Sequence, residues 1–114
     1  GAWNERSQTL IGVKPESDRE GVLQDGHWAS GMFGYFPTYT LGSLYAAQMV
    51  ETYGKTADLD AEIARGDFAP LLRWLRENIF VVGDRLPTED LVTRVTGKGL
   101  DAGAYFRHIA TKFG

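Results

Sequence analysis

Two short segments carry most of the side chains that could take part in chemistry. Residues 21–28 read Gly-Val-Leu-Gln-Asp-Gly-His-Trp, and residues 34–39 read Gly-Tyr-Phe-Pro-Thr-Tyr. Glycine lets the backbone approach a ligand closely, whereas histidine, tryptophan and tyrosine each combine an apolar body with a hydrogen-bonding tip. This composition is typical of a cavity wall rather than of a packed core.

His27 is the strongest single candidate, because Asp25 and Trp28 flank it in the sequence. A neutral imidazole can polarise a carbonyl and an imidazolium can stabilise an oxyanion, but one histidine alone forms no catalytic set. The residues alone support a purely packing role for His27 about equally well. The second histidine, His108, lies near the end of a predicted helix and is expected to be a surface group.

Metal-binding residues are sparse in this chain. It has no cysteine, and its two histidines lie far apart in the sequence. A zinc peptidase site needs a His-x-x-x-His pair with a general-base glutamate, so no metal site is predicted here. The lack of cysteine also excludes a disulfide framework and favours a reducing compartment, so a cytoplasmic location is expected.

Charge and hydropathy argue against two classes of partner. The formal net charge is −3, and lysine and arginine form no cluster, so nucleic acid is not an expected partner. No apolar run approaches the ~20 residues that span a bilayer, and the N-terminus has no signal-peptide pattern. Neither a membrane segment nor export is expected from this sequence.

The elements that must position these residues are predicted to be helices. Apolar residues recur at helical spacing almost throughout, which predicts an all-α bundle segment of about six helices. Residues 79–82 are the only candidate strand, and without a partner run they are interpreted as a helix end. Helices are predicted over residues 2–10, from Pro37 to Tyr53, from Asp58 to Arg65, from Phe68 to about residue 79, over 88–95 and after Asp101, with a single turn over 25–30.

The helix from Pro37 carries two faces that favour burial. Leu41, Leu44, Tyr45 and Met49 recur every three or four residues, and small residues form a second face. Two such faces indicate the central helix of a larger body. If part of that body is absent, an exposed apolar patch is expected around residues 41–49.

The first segment resembles the Gly-x-x-Gln-Asp-x-His-Trp signature of the M32 family of zinc metallocarboxypeptidases. The similarity continues through residues 34–39, 41–42 and 45–48, and residues 2–5, 96–97 and 105–106 also resemble the family pattern. It covers essentially the whole chain, whereas the family protein is several times longer. The family's His-Glu-x-x-His motif is absent, so residues 1–114 are expected to be the C-terminal part of the catalytic domain, with the zinc-binding part upstream.

The resemblance implies an all-α, homodimeric parent enzyme that uses zinc or cobalt to release single C-terminal amino acids from peptides. This chain alone would bind no metal and would be inactive. Its partners would be the peptide substrate and the remainder of the parent chain, and it would line the substrate groove. The resemblance further implies that His27 hydrogen-bonds the peptide or its tetrahedral oxyanion, and that Gln24, Asp25, Tyr35 and Tyr39 bind substrate.

An alternative from another functional class stays open. The chain would then be a small non-catalytic helical domain whose aromatic, glycine-rich segment binds a peptide or a protein. The feature that separates the two hypotheses is whether a His-Glu-x-x-His motif with a further glutamate ligand precedes this chain.

Overall fold

The computed structural model describes all 114 residues, which form helices and no strands. The predicted all-α class is confirmed, with seven α-helices instead of about six. They are α1 (Ala2–Ile11), α2 (Gly26–Ala29), α3 (Pro37–Tyr53), α4 (Leu59–Arg65), α5 (Ala69–Leu75), α6 (Thr88–Thr96) and α7 (Ala102–Phe113). A 3-10 turn covers Val22–Gln24, and a π-helical segment covers Arg76–Phe80. The chain divides into two compact units, residues 1–37 and 38–114.

The first unit begins with α1, which ends at a glycine in the left-handed conformation. Gly12 has φ of 79°, and its N–H donates to the Gln8 carbonyl oxygen, which closes the last turn. No residue of α1 is buried, and the apolar side chains of Leu10, Ile11 and Val13 near its end are exposed. Residues 13–21 form no helix, as predicted.

The second unit contains most of the 17-residue helix α3, whose predicted bounds are confirmed. Pro37 occupies the first helical position, where its fixed φ suits a helix and its missing N–H has no intrahelical role. Leu41 is 40% exposed, while Leu44, Tyr45 and Met49 are half-buried. The predicted apolar face of α3 is therefore not fully covered within this chain.

Two aspartates cap helices at the starts that the sequence predicted. The Asp58 carboxylate accepts from the Ala61 N–H at the start of α4, and the Asp101 carboxylate accepts from the Gly103 N–H at the start of α7. Such caps satisfy backbone donors that have no partner inside the helix.

A buried glutamine joins α3 to the loop between α6 and α7. The Gln48 side chain is fully buried, and its Nε2 donates to Thr96 Oγ1 and to the Gly99 carbonyl, both at 2.9 Å. Its Oε1 accepts from the Asp101 N–H at 2.9 Å. Both ends of the amide are therefore satisfied, as a buried polar group requires.

A charge network also connects α3 with α7. Arg107 donates from Nε and Nη2 to the two carboxylate oxygens of Glu51, at 2.8 and 3.0 Å, and it also contacts Asp101. The hydrogen bond from Lys98, helped by those from Gly103 and Arg107, lowers the pKa of Asp101 to about 2. These contacts fix the start of α7 beside α3.

The remaining core of the second unit is small. Its buried hydrophobic residues are Tyr53, Val82, Val92 and Ala104. The Tyr53 hydroxyl donates to the buried carboxylate of Glu62, and burial, followed by that hydrogen bond, raises the pKa of the tyrosine.

The only candidate strand, residues 79–82, is a helix end followed by turns. Residues 79–80 end the π-helical segment, and residues 81–84 form turns, so the interpretation of this stretch as a helix end is confirmed. None of the helices has the length and apolar character that crossing a membrane requires.

Candidate functional site

The signature segment, residues 21–36, lies in the first unit and begins at a buried glycine. A Cβ atom at Gly21 would lie 3.1 Å from the Pro15 ring and 3.2 Å from Nε1 of Trp3. Both side chains therefore pack directly on this backbone. Trp3 also meets Trp28 edge to face, with ring centroids 5.5 Å apart. The segment is thus tied to α1 at its start.

Asp25 and His27 form the one acid–histidine pair of the structure, at the start of α2. The Asp25 carboxylate caps this short helix: its Oδ1 accepts from the His27 backbone N–H at 3.0 Å. The same Oδ1 lies 2.7 Å from His27 Nδ1. The side chains of His27 and Asp25 are only 21% and 11% exposed. The two residues are close in sequence, and the cap turns their side chains toward each other.

The chain after α2 folds back so that two aromatic rings reach His27. The Met32 N–H donates to the His27 carbonyl at 2.8 Å, and Gly31 and Gly34 adopt φ of 74° and 77°, which suits glycine best. Tyr35 then stacks on the imidazole with centroids 5.0 Å apart, and Phe36 approaches it edge-on at 6.0 Å. The imidazole is therefore held by a carboxylate and by two aromatic rings.

A cavity of about 560 Å³ lies in the same unit. Its size falls within the range of small-ligand sites, about 300–1,000 Å³. Aromatic and proline side chains dominate its wall, and two polar side chains of the signature segment join them. The lining includes Trp3, Trp28, Phe36, Pro37, Gln24 and Asp25. Such a wall suits a ligand with an apolar group and a few polar contacts.

The other predicted site residues are placed as follows. Gln24 is exposed and donates from Nε2 to the Arg19 carbonyl, while also lining the cavity. Tyr39 lies in the first turn of α3, in the second unit, where it lines a smaller cavity of about 190 Å³ with Tyr105. The structure therefore groups Gln24, Asp25, His27 and Tyr35 in one unit.

A cavity in the second unit has a different character. It has a volume of about 720 Å³ and is lined by Val50, Ile63, Asp58, His108 and Lys112, among others. His108 is exposed, as predicted, and it is not part of an ion pair. This cavity lacks the aromatic wall and the acid–histidine pair of the first unit, so the signature segment is the better candidate site.

The side chains of this chain do not form the ligand cluster that a metallopeptidase requires. No group of three or more histidine, cysteine, aspartate or glutamate side chains in these 114 residues could hold a metal ion. The two histidines also lie in different units. The residues present therefore do not fit the metal that the family resemblance implies.

Two aromatic residues of the site were not singled out from the sequence as functional. Trp3 packs on Gly21, and it also lines the cavity. Phe36 contacts the imidazole of His27. Both lie inside stretches that resemble the family pattern, and this resemblance was the only sequence feature that could have marked them as site residues.

Comparison with known proteins finds relatives along nearly the whole chain. Residues 1–113 match the family model of the carboxypeptidase Taq (M32) metallopeptidases. The chain is 43% identical over 113 residues to thermostable carboxypeptidase 1 of Thermus thermophilus, covering 98% of this chain and 22% of that protein. It is 38% identical over 112 residues to carboxypeptidase 1 of Bacillus subtilis, covering 97% of this chain and 22% of that protein.

Comparison of the fold with solved structures also identifies M32 carboxypeptidases as similar proteins. The chain matches the crystal structure of the M32 carboxypeptidase from Deinococcus radiodurans with a TM-score of 0.92 at 37% identity, covering 99% of this chain and 23% of that one. The chain therefore spans about a fifth of the length of the relatives it matches. Since the family model matches nearly every residue, this chain belongs to the carboxypeptidase Taq (M32) metallopeptidase family.

Proposed function

We propose that this chain is the C-terminal part of a metal-dependent carboxypeptidase that releases single amino acids from peptide C-termini. In this proposal, the signature segment lines the substrate groove of the parent enzyme. His27 contacts the peptide or the oxyanion formed from its scissile carbonyl, and Gln24, Asp25, Tyr35 and Tyr39 bind substrate. The peptide and the remainder of the parent chain are the partners.

The observation that carries the proposal is the arrangement around His27. A partly exposed imidazole is held by a carboxylate and by two aromatic rings, in the unit that contains a cavity of ligand size. A group that is fixed before the substrate arrives contributes more to transition-state stabilisation than a mobile one. Membership of a metallocarboxypeptidase family supports a peptide as the substrate.

The metal belongs to the rest of the parent in this proposal. A metal site in such an enzyme supplies Lewis-acid polarisation and an activated water, but the residues of this chain provide no ligand set. The zinc or cobalt ion is therefore assigned to the upstream part, and the parent is expected to be a homodimer. The chain alone is expected to be inactive.

The test measures release of the C-terminal amino acid from an N-blocked dipeptide in the presence of zinc or cobalt. Three proteins are compared: this chain, its full-length parent and the parent with His27→Ala. We expect activity in the parent only, and a loss of about 10- to 100-fold in kcat/KM for the substitution. This is the scale of one hydrogen bond to a charged group.

The matched control is His108→Ala in the parent, since His108 is exposed and lies in the other unit. This control should retain activity within about twofold, a difference of about 0.4 kcal/mol. An inactive parent, or a parent indifferent to His27→Ala, would contradict the groove-lining role. Peptide binding without hydrolysis by such a parent would instead favour the non-catalytic binding domain.

A further inference from the structure

The position of Asp25 gives it a role beyond contact with substrate. Its carboxylate is 11% exposed, and its Oδ1 accepts from both the backbone N–H and the ring Nδ1 of His27. A carboxylate accepts hydrogen bonds and donates none when ionised. The proton in the 2.7 Å contact therefore lies on Nδ1 of the imidazole.

We infer that Asp25 is a positioning residue that holds His27 as the Nδ1–H tautomer and directs its action on substrate through Nε2. This inference rests on the proposed role of His27 in the substrate groove. The hydrogen bond made by one ring nitrogen decides the protonation of the other. In a neutral His27 the acceptor nitrogen is therefore Nε2, which donates only in the imidazolium.

The surrounding rings complete the positioning. Tyr35 covers a face of the imidazole, with an interplanar angle of 29°, and Phe36 meets it edge-on at 73°. A half-turn of the ring about its Cβ–Cγ bond loses the Nδ1 contact with Asp25, and a smaller turn also tilts the ring out of its stack on Tyr35. One carboxylate thus links the local fold of α2 to the orientation of the imidazole.

The test distinguishes the two interactions of Asp25, which are the N-cap of α2 and the contact with the imidazole of His27. Asp25→Ser keeps a good N-cap residue, but its hydroxyl is too short to reach Nδ1. Asp25→Asn keeps an acceptor oxygen at the same reach, so it is the conservative rescue. Asp58→Ser is the matched control, because Asp58 caps α4 in the other unit.

The tautomer is read from the ¹⁵N chemical shifts of the histidine rings at alkaline pH, where imidazoles are neutral. The chain has two histidines, so His108 serves as an internal reference. We expect Nδ1–H for His27 in the unsubstituted chain, in Asp25→Asn and in Asp58→Ser. We expect a mixture of tautomers in Asp25→Ser. An Nε2–H signal in the unsubstituted chain, or an unchanged tautomer in Asp25→Ser, would overturn the inference.

The same substitutions in the full-length parent test the consequence for catalysis. We expect Asp25→Ser to lower kcat about 10- to 100-fold with little change in KM, and Asp25→Asn to restore most of it. A parent that loses activity with His27→Ala but keeps it with Asp25→Ser would overturn the positioning role alone. A parent indifferent to His27→Ala would overturn the proposed function, whatever the tautomer.

Discussion

At the scale of single residues, Gly21 limits what the signature segment tolerates. Its backbone is in contact with Pro15 and Trp3, which would have to shift by a few tenths of an ångström to admit a methyl group. Gly21→Ala is therefore expected to lower the free energy of unfolding by about 1–3 kcal/mol, the usual cost of overpacking. Urea unfolding followed by tryptophan fluorescence measures the change, because Trp3 and Trp28 are in ring contact in this unit.

The matched control is Gly26→Ala at the first position of α2. A Cβ atom there would meet nothing within 4 Å. We expect this change to be neutral or slightly stabilising, since alanine favours helix more than glycine does. Equal destabilisation by both substitutions would show that the close contact at Gly21 is not what limits this position.

At the scale of elements, the sequence predicted helix ends better than contacts between helices. Pro37, Asp58 and Asp101 each satisfy a local rule about helix starts, and the structure places the helix starts there. The role of Gln48 had no local signal, because its hydrogen-bond partners follow about fifty residues later. Local rules cannot report such pairs.

In the candidate site, too, local features were predictable from the sequence and contacts between side chains were not. The types and spacing of Asp25 and His27 marked them as candidates for chemistry. Their mutual orientation depends on the cap of α2, and the approach of Tyr35 depends on a turn that contains two left-handed glycines. The π-helical segment after α5 was also unpredicted, because its apolar spacing resembles that of an ordinary α-helix.

Gln48 yields a prediction at this scale. Gln48→Met keeps the approximate volume of the side chain but removes its hydrogen bonds to the loop between α6 and α7. This leaves the Gly99 carbonyl and the Asp101 N–H without these partners. The expected loss is about 1–3 kcal/mol in total, because the hydrogen bonds removed are part-buried, and it is measured by urea unfolding followed by circular dichroism.

Gln8→Met is the matched control for Gln48→Met. Gln8 is an exposed residue of α1, and its side chain donates to the Gly12 carbonyl. Surface substitutions of this kind stay within about 0.5 kcal/mol. If Gln48→Met were as mild as the control, the buried amide would not be what holds the loop to α3.

At the scale of the whole molecule, much of the apolar surface lies open. Phe106 and Phe113 in α7 are 68% and 73% exposed, whereas few hydrophobic residues are buried. The relatives are about five times longer than this chain. Under the proposed function, the remainder of the parent covers this face of α7, because burial of apolar area favours association.

Truncation of Phe106 should then destabilise the full-length parent more than it destabilises this chain alone. Phe106→Ala is expected to change the stability of this chain by less than about 0.5 kcal/mol, since an exposed side chain loses few contacts. In the parent, the loss should reach about 3 kcal/mol or more, the usual cost of truncating a buried phenylalanine. Val92→Ala, at a fully buried position, should destabilise both proteins. Thermal unfolding of the four variants measures the contrast, and a mild effect of Phe106→Ala in the parent would mean that this face of α7 stays exposed there.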